Sequence, residues 1–453
     1  MGTHIQSTSK RFCVTLLGLL VLSLVTAGLA GPTSRARAHG KDKKLVGYFI
    51  QWGIYGRNYI PKHVATSGSA GKLTHINYAF GNVAPSSPVP GSPITCQSGD
   101  PWADYQKTWT AEESVDGVPV VWGEPLRGNF QQLKQLKALY PNLKMMISLG
   151  GWTWSAHFSN AALTRESREA FVKSCVDLFI KGDLPRDADA GGPGSGAGVF
   201  DGIDIDWEYP AVCGNTCGPE VARPEDTKNF TLLLKEFRRQ LDKVGKENRR
   251  HYLLTIAASA SPGTFAKLEL NKIHKELDFI NVMTYDFHGP WETTANFHSA
   301  LFPSKDDPAR SLRLTTHETV QGYIDARVPR DKIVVGVPFF GHGWQGVPDI
   351  NHGLYQTGTG SAPGTWEAGS DDYKALKAKL AAGGFTRYFN NKTKNAWIYD
   401  PANQIFWTYD DPQSLKAKAG YVEDQRLGGV MFWELSGDTP DGELVTVLSK
   451  GLD

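Results

Sequence analysis

The chain has 453 residues, with 48 basic and 47 acidic side chains, and its composition is 40% hydrophobic and 11% aromatic. This length accommodates one large domain or two to three ordinary ones, with ample sequence for a core. The even charge leaves no basic stripe of the kind that holds nucleic acid, so we expect no nucleic-acid partner.

The first forty residues have the pattern of a secretory leader. Lys10 and Arg11 precede an uncharged apolar run over Val14–Ala30, and small residues follow it. A membrane anchor is the alternative, but the run is short for a span of about 20 residues and no stop-transfer pattern follows. We predict a signal peptide over residues 1–38 and secretion. Its removal leaves 44 basic and 47 acidic residues, a net charge of −3, and no polybasic tail for a membrane.

Eight short apolar runs recur along the rest of the chain, with helical patterns between them. Each run is rich in Val, Ile or aromatic residues and is bounded by Gly, Pro, Asn or Asp, as buried parallel strands are. The runs are Leu45–Ile50, His75–Phe80, Lys144–Leu149, Gly202–Trp207, Leu253–Ala258, Phe279–Tyr285, Ile333–Phe339 and Gly429–Leu435. Eight such alternations predict a (β/α)8 TIM barrel over residues 41–453. An open doubly wound sheet is the alternative, and it does not easily use eight strands of similar length.

The interval between the seventh and eighth runs is longer than one helix requires. It holds further strand-like runs and one helical run: Thr386–Phe389, Trp397–Tyr399, Ile405–Tyr409 and Asp371–Ala382. A loop of this length without structure of its own would be unusual in a compact domain. We therefore predict a small α+β subdomain over residues 344–409, inserted between strands seven and eight, rather than a decorated loop.

Three acidic residues alternate with apolar residues in the fourth run. Because successive side chains of a strand point to opposite faces, Asp204, Asp206 and Glu208 share one face. The apolar face must meet the surrounding helices, so the acidic face points into the barrel. It climbs toward the carboxyl ends of the strands, where the sites of this fold lie.

Stacked carboxylates on a buried face repel each other and lose solvation, which favours holding a proton near neutral pH. A proton held in this way is what a general acid requires. A solvated acidic edge or a calcium site is the alternative. The alternating isoleucines argue against the first, and calcium usually takes its ligands from loops rather than from one rigid strand. The pattern predicts acid catalysis, and we expect no metal and no cofactor.

The same arrangement constrains the mechanism. Ordinary glycosidases flank the scissile bond with two carboxylates, whereas Asp206 and Glu208 come from the same side of one strand. One of them is therefore poorly placed to attack from the opposite face. A nucleophile within the substrate, such as the oxygen of a sugar 2-acetamido group, resolves this difficulty.

The pattern Asp201-x-x-Asp204-x-Asp206-x-Glu208 resembles the signature of the family-18 glycoside hydrolases, the chitinase family. The resemblance runs from about Leu45 to the end of the chain. It includes Ser148-Leu149-Gly150-Gly151 on strand three, Met283-Thr284-Tyr285-Asp286 on strand six and Trp433 on strand eight. The inserted subdomain resembles that of the chitinases with a deep groove, and the segment 48–59 is similar to that of secreted microbial members.

This resemblance implies a retaining chitinase that cuts the β-1,4 bonds of chitin and chitooligosaccharides with the help of the substrate. Glu208 would act as the acid and then as the base that activates water. Asp206 would orient the acetamido group, Asp204 would share a proton with Asp206, and Tyr285 would hydrogen-bond the acetamido oxygen.

The resemblance also implies a set of substrate-binding residues. Trp433 would form the floor beneath the sugar, since its apolar face suits a pyranose, and Asp286 would contact the sugar or support Tyr285. The other expected substrate-binding residues are Met283, Tyr209, Trp152, Phe80 and Tyr48. Further aromatic residues near the strand ends are weighed as stacking residues: Trp52, Trp154, Trp291, Trp344 and Trp366.

Two features leave alternatives open. Cys96, Cys175, Cys213 and Cys217 allow three disulfide pairings; the last two could close a local loop, and Cys175 fits a buried helical position. Related chitinases often read Tyr-Gly-Arg-Gly-Trp after strand seven, where this chain has His342 in place of the arginine. We expect His342 to pack or to hydrogen-bond rather than to catalyse.

Two other functions are weighed against the chitinase. A silent chitin-binding lectin on the same barrel would lack the terminal acid, which Glu208 supplies. An enzyme for N-glycan cores or peptidoglycan would have less use for the insertion and the many aromatic residues. These comparisons are analogies between folds. We expect the protein to be a monomer.

Overall fold

Eight parallel strands form the centre of the computed structural model, which describes residues 43–452. They are β1 (Lys44–Ile50), β2 (His75–Pro85), β3 (Lys144–Gly150), β4 (Gly202–Asp206), β5 (Leu253–Ser259), β6 (Phe279–Met283), β7 (Ile333–Pro338) and β8 (Gly429–Trp433). Each strand pairs with the next, and β1 pairs with both β2 and β8. The sheet is therefore closed. The predicted (β/α)8 barrel is confirmed and the open sheet is excluded; the predicted signal peptide, residues 1–38, lies outside the described residues.

Four strands end one or two residues earlier than their predicted runs. The backbone leaves the sheet at these points to build the loops at the carboxyl end of the barrel. After β6, for example, the amide of Thr284 bonds back to the carbonyl of Val282 at 2.8 Å, and Asp286 then takes a left-handed conformation with φ of 57°. Apolar periodicity cannot locate such turns because the residues within them are still aromatic or apolar.

Helices surround the barrel and supply the outer half of its core. The larger ones are Gly128–Leu139, Arg165–Cys175, Asp226–Asn248, Thr316–Asp325, Pro412–Asp424 and Glu443–Leu452. Shorter helices are Pro61–Thr66, Gly151–Trp154, Phe158–Ala162, Pro262–Phe265 and Leu270–Ile273. The outward residues of β4, Ile203 and Ile205, are fully buried in this core, and Trp207 packs edge-on against Phe230 of the helix Asp226–Asn248. The acidic residues between them consequently face the barrel interior.

The chain between β7 and β8 forms a second, six-stranded sheet that carries the helix Tyr373–Ala382. Its strands are Phe340–Gln345, Gly360–Ser361, Ser370–Asp372, Thr386–Asn390, Asn395–Asp400 and Ile405–Tyr409. This confirms that an α+β insertion follows strand seven. Its first strand begins at Phe340, ahead of the predicted boundary at residue 344, because Phe340–Gln345 follows β7 directly and pairs with Ile405–Tyr409.

Two disulfides stabilise loops on the barrel. Cys96 pairs with Cys175, which is buried at the end of the helix Arg165–Cys175, as expected for its position. Cys213 pairs with Cys217 and closes the local loop that follows β4. Among residues 43–452, no helix has the length and apolar character needed to cross a bilayer.

Candidate active site

Asp204 lies at the centre of the barrel, fully buried, and its carboxylate accepts four hydrogen bonds. The donors come from four other strands and are Tyr48 (2.9 Å), Ser148 (2.8 Å), Thr255 (2.6 Å) and Asn281 (3.3 Å). Burial raises the pKa of Asp204 above its ordinary value, while these hydrogen bonds oppose the shift. Both of its oxygens are thus already provided with donors.

Asp206 occupies the next inward position on β4 and has no such set of donors. It is 4% exposed, and its Oδ1 has no hydrogen-bond partner among the described residues. Burial raises its pKa well above the ordinary value, and the charges of Glu208 and Asp204 raise it further. Of the two buried aspartates, Asp206 is therefore the one whose surroundings favour holding a proton.

Glu208 lies just beyond the end of β4, at the carboxyl end of the barrel. Its backbone amide donates to the Ser155 hydroxyl at 2.9 Å, and that hydroxyl donates to the carbonyl of Gly151 at 2.8 Å. Burial raises the pKa of Glu208 to about 7; a hydrogen bond with Tyr209 opposes this shift and the Asp286 charge adds to it. A carboxyl group with this pKa can both give and take a proton near neutral pH.

An aromatic floor lies beside these carboxylates. The ring of Trp433, at the end of β8, stacks on Phe80 with centroids 5.7 Å apart and lies 5.4 Å from the ring of Tyr48. Met283 belongs to the same apolar cluster. Gly151 permits this packing, because a Cβ there would lie 2.6 Å from the Phe80 ring and its φ is +73°. The structure thus brings together four of the predicted substrate-binding residues.

Tyr285 and Asp286 reach the groove from the turn after β6. The Thr284 hydroxyl donates to the carbonyl of Gly336 at 2.6 Å and holds this turn against β7. The hydroxyl of Tyr285 contacts the sulfur of Met431 at 3.8 Å, which is a weak partner, so it can bind a better acceptor. The side chain of Asp286 is 49% exposed to solvent.

Two histidines flank Asp286. His342 Nε2 lies 2.8 Å from the Asp286 carboxylate, and its Nδ1 lies 3.1 Å from the carbonyl of Gly369. His298 Nδ1 lies 3.8 Å from the same carboxylate. Desolvation would raise the pKa of Asp286, but its contacts with His298 and His342 outweigh it and hold the pKa below the ordinary value. The expectation that His342 hydrogen-bonds is confirmed.

The predicted aromatic residues differ in their exposure. Trp152 is 51% exposed, near Gly214 of the loop that follows Glu208. Three others are also exposed, namely Trp52, Trp291 and Trp366, and Trp154 is partly buried in the barrel cluster. Trp344 is different. It is 1% exposed and its indole donates to the carbonyl of Glu292 at 2.8 Å, so it packs the insertion and is excluded as a stacking residue.

Several residues of the site gave no recognisable signal in the sequence. Thr255 and Asn281 are single polar residues within apolar runs, and only barrel closure directs them to Asp204. Ser155 is likewise defined by its contact with Glu208. Trp102 and Trp122 form an exposed pair with ring centroids 6.2 Å apart. They lie outside every motif, in the long segment between β2 and β3.

The structure defines a class of proteins: TIM barrels in which one strand carries inward-facing carboxylates that lead to the carboxyl end of the barrel. The model of the glycosyl hydrolases family 18 matches residues 44–438, and the chain belongs to this family. Chitinase A1 of Niallia circulans is 41% identical over 96% of this chain and 62% of its own length. Chitinase 63 of Streptomyces plicatus is also 41% identical, over 91% of this chain and 61% of its own.

Solved structures agree with this assignment. The catalytic domain of psychrophilic chitinase B from Arthrobacter TAD20 has 39% identity and a TM-score of 0.83, and the match covers 90% of this chain and 95% of that one. Chitinase ChiA74 from Bacillus thuringiensis has 38% identity and a TM-score of 0.78, over 91% of this chain and 70% of that one. The chain spans about three fifths of the length of the curated relatives named above.

Proposed function

We propose that this protein is a chitinase that hydrolyses the β-1,4 bonds of chitin and chitooligosaccharides with retention of anomeric configuration. The single observation that carries the mechanism is the buried Oδ1 of Asp206, which has no partner among the described residues. A buried acceptor without a donor is costly, and the N–H of a substrate 2-acetamido group would satisfy it. That contact orients the acetamido carbonyl oxygen toward the anomeric carbon.

The reaction then proceeds in two steps. Glu208 donates its proton to the glycosidic oxygen while the acetamido oxygen attacks the anomeric carbon, so the bond to the leaving sugar breaks and a cyclic intermediate forms. Asp206 stabilises its positive charge, and Tyr285 donates a hydrogen bond to the acetamido oxygen. The Glu208 carboxylate next takes a proton from water, which opens the intermediate from the face that the leaving sugar vacated. Two inversions at one carbon give retention.

The surroundings support these roles. Asp204 already accepts four hydrogen bonds, so its charge favours protonation of Asp206 when the acetamido group is absent. Trp433 offers an apolar face to the sugar at the position of the bond to be cut. The named relatives are chitinases, which supports the substrate class. The amino-terminal pattern supports secretion, and we expect a monomer.

Chromatography of the earliest products from an N-acetylglucosamine hexamer, with the anomers resolved, tests this proposal. We expect β-anomeric products from the wild type and their release at a rate about 10²–10⁴-fold lower from Glu208→Gln, because this is the typical cost of losing a general acid. Glu220→Gln is the matched control, since it removes an exposed carboxylate from the same loop. Products of α configuration would contradict retention. An intact hexamer that binds tightly to the wild type would indicate the lectin instead.

A further inference from the structure

Asp286, His298 and His342 form a cluster that the proposed reaction does not fully use. They come from the turn after β6, the following loop and the first strand of the insertion. One ligand atom from each lies within 4.8 Å of the others. The sequence gave no indication of this group, because its members are up to 56 residues apart and follow no metal-binding spacing.

His298 provides a second, independent observation. Its side chain is 0% exposed, and neither ring nitrogen has a hydrogen-bond partner among the described residues. The 3.8 Å separation from the Asp286 carboxylate is too long for a hydrogen bond. The ring of Phe340 lies 5.3 Å from that of His298 and 5.4 Å from that of His342, so an apolar wall closes one side of the cluster. A buried imidazole without a partner is costly unless another group occupies the space beside it.

We propose that Asp286, His298 and His342 bind one divalent transition-metal ion of the Zn²⁺ type at the edge of the groove. Two imidazoles and one carboxylate are a common set for zinc and leave a fourth position for water, whereas calcium and magnesium prefer oxygen ligands. A tetrahedral ion with bonds of 2.0–2.1 Å needs ligand atoms ~3.4 Å apart. The observed separations from the carboxylate, 2.8 Å for His342 and 3.8 Å for His298, lie on either side of that value.

The environment of His342 supports ligation. Its Nδ1 lies 3.1 Å from the carbonyl of Gly369. A proton on Nδ1 would donate to that carbonyl when an ion is bound, and the lone pair of Nε2 would then be free to bind the ion. The exposed half of the Asp286 side chain gives the ion a route from the groove. The ring of Trp291, which is 63% exposed, lies 5.1 Å from that of His342 and contacts it edge-on.

Occupation of the cluster would inhibit the enzyme, and this part of the inference rests on the proposed function. The ion would withdraw Asp286 from the substrate. It would also replace a net negative charge near Glu208 by a positive one and so lower the pKa of the catalytic acid. Zinc would therefore reduce the activity most strongly on the alkaline side of the pH profile.

Zinc titration of the chelator-treated, tag-free protein, followed by calorimetry without sugar, tests the binding. We expect one saturable site, with affinity reduced more than about tenfold in His342→Gln and in Asp286→Asn. His352→Gln is the matched control, because it removes an exposed histidine that also lies near an aspartate. Co²⁺ should give the visible absorption of a four-coordinate ion in the wild type and in His352→Gln, but not in His342→Gln or Asp286→Asn. The absence of a saturable site, or equal affinity in the control and the cluster variants, would overturn the proposal.

The inhibition is measured separately, as the ratio of hexamer-cleaving rates with and without zinc for each variant. We expect this ratio to fall in the wild type and in His352→Gln, and to stay near one in His342→Gln. Tight binding without inhibition would support the metal site and contradict the assignment of Asp286 to the substrate groove. Inhibition that persists in His342→Gln would place the inhibitory zinc elsewhere.

Discussion

Asp206 and Asp286 belong to the same candidate site, but their surroundings shift their pKa values in opposite directions. Asp206 is buried in the barrel beside two other acids, and its pKa lies well above the ordinary value. Asp286 is half exposed beside two histidines, and its pKa lies below the ordinary value. The surroundings therefore favour the protonated form of the carboxyl group at Asp206 and the negatively charged form at Asp286. Neighbouring charge and solvent access determine this difference.

The two environments come from different parts of the fold. The barrel interior surrounds the acids of β4 with neutral donors, namely the hydroxyl and amide groups that reach Asp204. The insertion supplies His342, and the loop between β6 and the helix Thr316–Asp325 supplies His298. The insertion therefore influences the charge state of Asp286, and the Asp286 charge in turn raises the pKa of Glu208. Three substitutions test this contrast in four experiments, beginning with the largest expected effect.

Replacing Asp206 with Asn should reduce kcat on the hexamer by about 10²–10⁴-fold, because the charge that stabilises the cyclic intermediate is lost. KM should change little by comparison, since the amide keeps the shape of the carboxyl group. Steady-state kinetics measure both constants. Asp349→Asn, which neutralises an exposed aspartate of the insertion, is the control and should retain wild-type rates. A loss of less than tenfold would contradict the role given to Asp206.

Thr255→Val should have a smaller effect of the same kind. It removes the 2.6 Å hydrogen bond to Asp204 without changing the volume of the side chain. Loss of one donor to a charged group costs about 1.5–3 kcal/mol, so kcat should fall by roughly tenfold to a hundredfold. Thr319→Val is the control, because its buried hydroxyl donates to the carbonyl of Ala260 outside the site. Equal activities of the two variants would show that the donors to Asp204 do not matter for catalysis.

The alternation of the β4 acids was predictable because the two-residue period of a strand is a local property of the sequence. The fold followed from eight such local patterns, and Tyr48, Phe80 and Trp433 followed from the family resemblance. Contacts made by barrel closure were not predictable in the same way. Nothing in the runs around Thr255 distinguishes an inward polar residue that binds Asp204 from one that merely interrupts an apolar strand.

The same limit applies to the second aspartate. The motif placed Asp286 in the groove, but its partner His298 lies in a loop without periodicity, and its environment depends on how the insertion packs. Trp344 shows the opposite error. Its position in the insertion suggested a sugar-stacking residue, yet its indole ring is buried against the segment that carries Glu292. Sequence patterns predict which element a residue occupies better than they predict what the element packs against.

Asp286→Asn should shift the alkaline limb of kcat/KM to lower pH. In the wild type, this limb follows the ionisation of Glu208, whose pKa is raised to about 7 by burial with a contribution from the Asp286 charge. Removing that negative charge makes Glu208 easier to ionise, so its pKa falls. The pH profile of hexamer cleavage measures the shift, with Asp349→Asn again as the control. If the alkaline limb stays in place or moves to higher pH, the Asp286 charge does not raise the pKa of Glu208.

The pH dependence of stability should change in opposite directions for the two aspartates. Because the pKa of Asp206 is raised by folding, its contribution to stability is present below the ordinary pKa and is lost as pH rises through the folded value. Asn does not titrate, so the melting temperature of Asp206→Asn relative to wild type should increase between pH 5 and pH 8. Asp286 has a lowered pKa, so its contribution is present at neutral pH and is lost only in strong acid.

Asp286→Asn should therefore lower the melting temperature at pH 7, by a difference that shrinks as the pH falls below the ordinary range of an aspartate. Scanning calorimetry of both variants and the wild type, from pH 8 down into strong acid, measures the two trends. Each should amount to only a few degrees, because about 1 kcal/mol shifts the melting temperature by ~2 °C in a large domain. Parallel curves for the two variants would show that these carboxylates experience similar surroundings. If the melting-temperature differences of the two variants change with pH in opposite directions, the contrast between Asp206 and Asp286 is a property of the folded protein without substrate.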